Sequence, residues 1–380
     1  MHKATRSHLG VLRAWAAVLA VVAAAIGAFA APAGAAVPAK FWGVVPQATP
    51  TLEQFQRLKR GGVDSVRTPI GWNAVQPELG GGFSWSGVDE VVRNAATAGI
   101  EVLPFLSGAP SWAVAHDPHF GSPVTLPVKT SAQRNGWTNF VKQALLRYGP
   151  NGSFWAENPG VPQHPIRTWQ IWNEENFKYF VARPNPADYG KLVGLSYTAI
   201  KAVDPGAQII LGGMFATPIE ATFKKQPPQA YFAGDFLNRM YKATPGIKSK
   251  FNGIALHPYT GRWQNLTEKI EEVRSALKAN HDAAKKLWIT ELGWSSGPPS
   301  SDGSNSFAQG PAGQVRQLKG AFKLLEQNQV KWNLQRVYWF SVDDAVGPSC
   351  NFCDGSGLFA KGFVPKQSWF AYVKFAGGTP

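Results

Sequence analysis

The stretch Gln170 to Phe177, "QIWNEENF", passes from an apolar run to a polar cluster without a turn residue between them. Upstream, Ile166, Trp169 and Ile171 read as a buried strand; Asn173, Glu174, Glu175 and Asn176 then arrive together where that strand should end. Acids are placed usefully at the carboxyl end of a strand when that end opens on a ligand-binding face, as it does in parallel sheets. The reading of these eight residues therefore depends on whether the rest of the chain builds such a sheet.

The rest of the chain has the required repeat. A short apolar, β-branched run, a polar loop and a segment with helical spacing follow one another eight times. The runs are 41–45, 63–68, 100–106, 166–172, 208–213, 251–257, 287–291 and 334–340. The helical segments are 51–60, 88–98, 132–147, 187–203, 231–242, 266–279, 314–326 and 368–375. In the first of these, Leu52, Phe55 and Leu58 share one face. Strands alternating with helices imply parallel pairing, and eight such units imply an α/β fold closed as a single (β/α)8 TIM barrel. An open doubly wound sheet is the alternative, but the first strand lacks a G-x-G-x-x-G turn and no G-x-x-x-x-G-K-[ST] loop occurs.

The amino terminus is expected to lie outside the barrel. Lys3, Arg6 and Arg13 give a basic start, residues 14–31 are almost wholly apolar, and Ala33-Gly34-Ala35 supplies small residues of the A-x-A type. This predicts a signal peptide over 1–35 and a catalytic domain over 36–380, hence a secreted protein with no membrane association after cleavage. An uncleaved anchor is the alternative, because about 18 apolar residues could just span a bilayer. Removal of Lys3, Arg6 and Arg13 lowers the net charge from +14 to +11. The remaining basic residues are scattered, with doublets at Lys224-Lys225 and Lys285-Lys286 and no recognition motif, so nucleic acid is not an expected partner. The charge fits solubility or attraction to an acidic wall polymer. Cys350 and Cys353, alone in an exported chain, predict a local disulfide; a zinc site would need two further ligands. "HDPH" at 116–119 is interrupted by Pro118, and no metal site is expected there.

If the barrel closes, Glu174 at the end of strand four and Glu291 at the end of strand seven converge on one face. Two carboxylates flanking a glycosidic bond are what glycoside hydrolysis requires. Surface acids at loop starts are the blander reading of either one alone. Other strand ends argue against that reading: Arg67 on strand two, His257 and Tyr259 on strand six, and Trp339 on strand eight. An Arg and a Tyr beside a carboxylate keep it ionised and oriented, and a Trp face suits the C–H surface of a sugar ring. Trp72, Trp112, Trp263 and Trp294, in expected loops, are further candidates for sugar stacking.

These residues amount to a family resemblance. "IWNEEN" resembles the strand-four W-N-E-P signature of clan A glycoside hydrolases, and "ITELGW" resembles their strand-seven nucleophile segment. "VRTPIGW" and "HPY" resemble their strand-two Arg and strand-six H-x-Y, and "FSWSGVDEVVRNAATAGIEVLPFL" is similar to bacterial members related to families five and thirty-nine. The resemblance implies a retaining TIM-barrel enzyme in which Glu174 is the acid/base, Glu291 the nucleophile and Asn173 the partner of the sugar 2-hydroxyl. Arg67, His257, Tyr259 and Trp339 take supporting roles. Glu175 stands where the family usually has Pro, and "LPFLSGAP" lacks the His typical of family five, which argues against its ordinary cellulases.

The expected function is a secreted, monomeric, retaining β-glycosidase acting on a polysaccharide or oligosaccharide without cofactor or metal. A catalytically silent sugar-binding barrel, either a lectin or an inhibitor, and a transglycosylase that remodels glycans are the alternatives. The Pro-, Ser- and Gly-rich segments 107–130 and 295–312 predict a groove at the site.

Overall fold

The computed structural model describes residues 37–218, 220–300, 305–344 and 353–380. The expected signal peptide lies outside these residues, as does Cys350 of the expected Cys350–Cys353 pair. Eight strands form the barrel: β1 (Trp42–Val45), β2 (Ser65–Gly71), β3 (Glu101–Ser107), β4 (Thr168–Ile171), β5 (Gln208–Phe215), β6 (Gly253–His257), β7 (Lys286–Leu292) and β8 (Leu334–Phe340). Each pairs in parallel with the next, and β8 pairs with β1 to close the ring. The principal helices following the strands are Leu52–Arg60, Ser86–Thr97, Ser131–Tyr148, Pro186–Val203, Ala233–Ala243, Leu266–Ala279, Gly310–Gln327 and Gln367–Ala376. The eight expected strand-then-helix units are therefore present, with edges shifted by a few residues.

Local chemistry fixes several helix starts. Thr51 and Thr130 each accept a hydrogen bond from the backbone N–H three residues on, and the Gln54 and Gln133 side chains each accept one in turn from the backbone N–H of the cap residue. The Asn185 side chain accepts from Ala187 and Asp188, with Pro186 opening the helix. Among the described residues, no helix is long and apolar enough to cross a membrane.

Strand alternation sorts the side chains into two populations. Val44, Val66, Trp169, Ile171, Ile209, Leu256, Ile289, Val337 and Trp339 pack outward with helix residues such as Phe55, Leu58 and Phe322. Val45, Leu103, Ile210, Ala255, Trp288, Tyr338 and Phe340 form a separate cluster inside the ring. Two large rings fill the lower interior because glycines face them: a Cβ at Gly43 would lie 2.6 Å from the Tyr338 ring, and one at Gly253 2.0 Å from the Trp288 ring. The Tyr338 hydroxyl is paired with Ser65 Oγ at 2.9 Å. Above this plug, at the carboxyl ends of the strands, the lining becomes polar.

Candidate active site

Arg67 is the centre of that polar lining. It is fully buried, and its guanidinium lies 4.1 Å from the centroid of the Phe105 ring on the neighbouring strand. Its nitrogens donate to Gln170 Oε1 at 2.7 Å, Glu291 Oε1 at 2.6 Å and Asn173 Oδ1 at 2.5 Å. One cation thus fixes β4, β7 and the turn after β4 relative to one another. Gln170 also donates to the Leu211 carbonyl, at 3.2 Å.

That turn is backbone-strained: Trp172 has φ of 71° and Glu174 φ of 42°, values uncommon for residues other than glycine. The strain is held by named contacts. Glu174 N–H donates to the Gly213 carbonyl at 3.2 Å. Asn176, fully buried, donates to the carbonyls of Phe215 and Tyr231 at 2.7 Å each and accepts from Phe215 N–H at 2.9 Å. The polar residues of "NEEN" are thus accounted for in three cases: Asn173 meets Arg67, Glu174 meets His257, and Asn176 ties the turn to β5.

Glu175 is the fourth. It is fully buried behind the turn, and neither carboxyl oxygen has a hydrogen-bond partner. The nearby Tyr189 hydroxyl donates to the Ile171 carbonyl at 2.8 Å and accepts from Gly212 N–H at 2.7 Å, so its single proton is already used. Burial pushes the Glu175 carboxyl up to about 8, so the group folds as the neutral acid.

The two candidate catalytic acids sit in different surroundings. Glu291 accepts from Arg67 and, through Oε2, from the Tyr259 hydroxyl at 2.9 Å. Burial outweighs the rest and raises its carboxyl above the usual range, while the Arg67 charge and the hydrogen bonds from Tyr259 and Arg67 pull it back down. Glu174 pairs instead with His257, whose Nδ1 is 2.8 Å from Oε1, while His257 Nε2 reaches Thr290 Oγ1 at 3.0 Å. Burial raises the Glu174 carboxyl well above its usual range, and the charge of Glu291 adds to this against the pull of Arg67. Burial, aided by Arg67, holds His257 well below its usual value and hence neutral. Of the two acids, Glu174 is the one built to keep a proton. Tyr259 is driven up by burial and by both carboxylates, which keeps it a donor.

Glu174, His257 and Glu291 present donor atoms within 4.8 Å of one another, a set that could hold a metal ion. The Arg67 guanidinium already supplies a positive charge in contact with Glu291, and this opposes a cation there.

The structure brings Arg67, Asn173, Glu174, His257, Tyr259 and Glu291 together, and separates Trp339 from them. Trp339 is fully buried in the outer layer, 6.1 Å from the rings of Trp294 and Phe322, with its indole N–H donating to the Ser356 carbonyl. Its neighbour Phe340 faces inward, 6.2 Å from the Tyr259 ring. The expectation of Trp339 as a sugar platform fails by one residue of strand parity, which inverts the face. Trp72 and Trp294 are likewise fully buried, and Trp112 and Trp263 are half-buried against the core, so they serve packing rather than open stacking.

Sequence reading also missed Gln170, Thr290 and the glycine pair Gly212-Gly213. A Cβ at Gly213 would lie 1.9 Å from His257 Nε2, and one at Gly212 1.9 Å from Glu175 Oε2. The available signal was polarity within apolar runs, Gln170 in "TWQIW" and Thr290 in "LWITE".

Comparison with known proteins agrees with this fold. Residues 215–362 match the family model described as "Glycosyl hydrolase catalytic core". The fold is similar to that of a family 39 glycoside hydrolase from the gut symbiont Bacteroides cellulosilyticus WH2, with TM-score 0.59 and 19% identity. That match covers 90% of this chain, which spans 64% of the length of that protein. A family 5 subfamily 18 protein from Bifidobacterium longum subsp. infantis matches with TM-score 0.57 and 16% identity, covering 89% of this chain and 78% of its own. A psychrophilic family 10 endo-beta-1,4-xylanase matches with TM-score 0.54 and 17% identity, covering 88% and 96%. No curated protein matches the chain. The chain is thus similar in fold to glycoside hydrolases of families 39, 5 and 10, and over residues 215–362 it matches the glycosyl hydrolase catalytic-core model.

Proposed function

We propose that the protein is a secreted, monomeric, retaining β-glycosidase that hydrolyses O-glycosidic bonds of a polysaccharide or oligosaccharide without a cofactor. The observation that carries this reading is the asymmetry of the acid pair: Glu291 held by Arg67 and Tyr259, Glu174 held by a neutral His257. One oxygen of each carboxyl group lies within 4.8 Å of one of the other, a close approach that supports direct attack by one acid rather than an inverting water held between the two.

In the first step Glu291 attacks the anomeric carbon as the bond to the glycosidic oxygen breaks. The departing electron pair takes the Glu174 proton, leaving a glycosyl ester on Glu291. In the second step Glu174, now ionised, removes a proton from water as the water oxygen displaces Glu291. Arg67 stabilises Glu291 as its charge returns, and Asn173, beside Arg67, takes the sugar 2-hydroxyl in this reading. Secretion rests on the signal-type segment at the amino terminus.

Azide rescue tests the assignment. Glu174→Ala still forms the ester from an aryl β-glycoside whose leaving group needs little protonation, and azide then restores turnover and yields the β-glycosyl azide. Glu291→Ala loses activity on the same substrate, and any azide product is the α anomer. The opposite anomers would exchange the roles, and full activity in either variant would remove that residue from the mechanism.

A further inference from the structure

The loop after β4 carries aromatic surface that the fold does not bury. Phe177, three residues beyond Glu174, closes a turn on it by donating its N–H to the Glu174 carbonyl at 2.8 Å. Its ring stacks on Phe215 at the end of β5, with centroids 4.7 Å apart and planes 11° from parallel. Phe215 in turn lies 6.5 Å from Tyr259, the donor to Glu291. In the other direction Phe177 meets Tyr179 edge-on at 4.9 Å, and Tyr179 meets Phe120 of the loop after β3 at 5.6 Å. The rings form one chain that runs from the catalytic face to the exposed Tyr179 and the half-buried Phe120: Tyr259 is 4% exposed and Tyr179 54%.

The loop is firmly held. Phe177 bridges to Ala230, and Lys178 N–H donates to Gln229. On the other side the Lys178 carbonyl accepts from Ser122 Oγ at 2.7 Å, and Ala182 and Arg183 donate to Pro123 and Val124. An exposed ring, Tyr179, flanked by the half-buried Phe177 and Phe120 on braced loops is preorganised to bind, because little ordering cost remains when a ligand arrives.

The side of the site they occupy follows from the chemistry. The acid must touch the glycosidic oxygen, so the part of the substrate attached to that oxygen departs on the Glu174 side, where Phe177 and Tyr179 stand. We infer that Phe177, Tyr179 and Phe120 form the platform for the leaving portion of a carbohydrate chain, seating sugar rings beyond the cleaved bond and directing the enzyme to the interior of chains. This rests on the glycosidase reading above. Aromatic rings suit that occupant, offering an apolar face to sugar C–H groups beside a wet edge, and the Lys178 ammonium, 4.4 Å from the Phe120 centroid, adds a donor for hydroxyls.

A glycosyl fluoride separates platform from chemistry, because fluoride fills no sugar subsite and needs little protonation. Rates are measured on β-glucosyl, β-galactosyl and β-xylosyl fluorides and on the matching β-linked oligosaccharides. Tyr179→Ala and Phe120→Ala are each expected to lower kcat/KM on the oligosaccharide by roughly tenfold and leave the fluoride rate within twofold of wild type. Phe370→Ala, which removes an exposed ring from the C-terminal helix (51% exposed), should change neither rate. Equal loss on both substrates, or an unchanged oligosaccharide rate in both variants, would overturn the platform while leaving the glycosidase reading intact. Wild-type inactivity on every fluoride and oligosaccharide would overturn the glycosidase reading, and the platform with it.

Discussion

Glu174 and Glu291 are the same side chain near the carboxyl ends of two strands, both buried, yet their neighbours divide the proton between them. At the end of β7 the carboxylate meets a guanidinium and a phenol, two donors that reward the charged form. In the turn after β4 it meets a histidine that burial keeps neutral and a second acid, Glu175, but no direct hydrogen bond from Arg67. The difference resides in which partners the barrel register brings within 3 Å, not in residue type. Arg67 is the shared hinge of both regions, since it touches Glu291 directly and reaches the β4 turn through Asn173.

Arg67→Met therefore gives the largest expected effect short of removing an acid. Three charge-assisted hydrogen bonds disappear, and the buried Glu291 carboxylate loses its counter-charge. A loss of about 4 kcal/mol of transition-state stabilisation, roughly 10³-fold in kcat/KM, is expected. The pH profile carries the sharper information. Arg67 pulls the Glu291 carboxyl down, so its removal raises that group. In the proposed mechanism Glu291 works ionised and is lost as pH falls, so the acidic limb of kcat/KM should move to higher pH. An acidic limb that stays in place would mean that Arg67 does not set the difference between the two acids.

Much of this arrangement was legible in the sequence, for a physical reason. The barrel follows from hydrophobic periodicity repeated eight times, and the acids stand out because a carboxylate interrupting an apolar run needs a purpose. What was hidden depends on relations between strands. The inward direction of Gln170 and Thr290, and their contacts with Arg67 and His257, follow from register across β2, β4, β6 and β7. The need for Gly212 and Gly213 appears once Glu175 and His257 are placed against β5. The burial of Glu175 was hidden too, since an acid next to Glu174 reads as part of the same polar turn.

Glu175 sharpens the comparison, being a third acid in the region that already disfavours charge. Its carboxyl is raised to about 8 in the folded protein, against about 4.5 for the ordinary group. Between these values the unfolded chain has released the proton and the folded chain retains it, so stability from this group is complete below about pH 4.5 and declines as pH rises towards 8. Glu175→Gln substitutes a neutral group for one that folds neutral. It should raise stability at pH 7 by up to about 3 kcal/mol and change it little at pH 4. Thermal melts of both proteins across pH 4 to 8 check this, and parallel curves would show that Glu175 folds ionised.

The smallest effect is expected at β8, whose end supplies packing where the ends of β4 and β7 supply acids. Trp339 lies on the outward face and Phe340 on the inward face, against Tyr259. Trp339→Phe removes a fully buried indole and its hydrogen bond to the Ser356 carbonyl at 3.0 Å, leaving a smaller ring among Trp294 and Phe322. A stability loss of about 1–2 kcal/mol follows from the lost bond and reduced packing. KM and kcat should stay within about twofold, because the ring does not border the acids. Chemical denaturation together with kinetics on one substrate separates the two possibilities. A large rise in KM with unchanged stability would place Trp339 at the sugar after all, and would mean that the parity of β8 is opposite to the one described. The expected result, a stability loss with intact kinetics, would confine the asymmetry between the two acids to residues that reach the barrel interior.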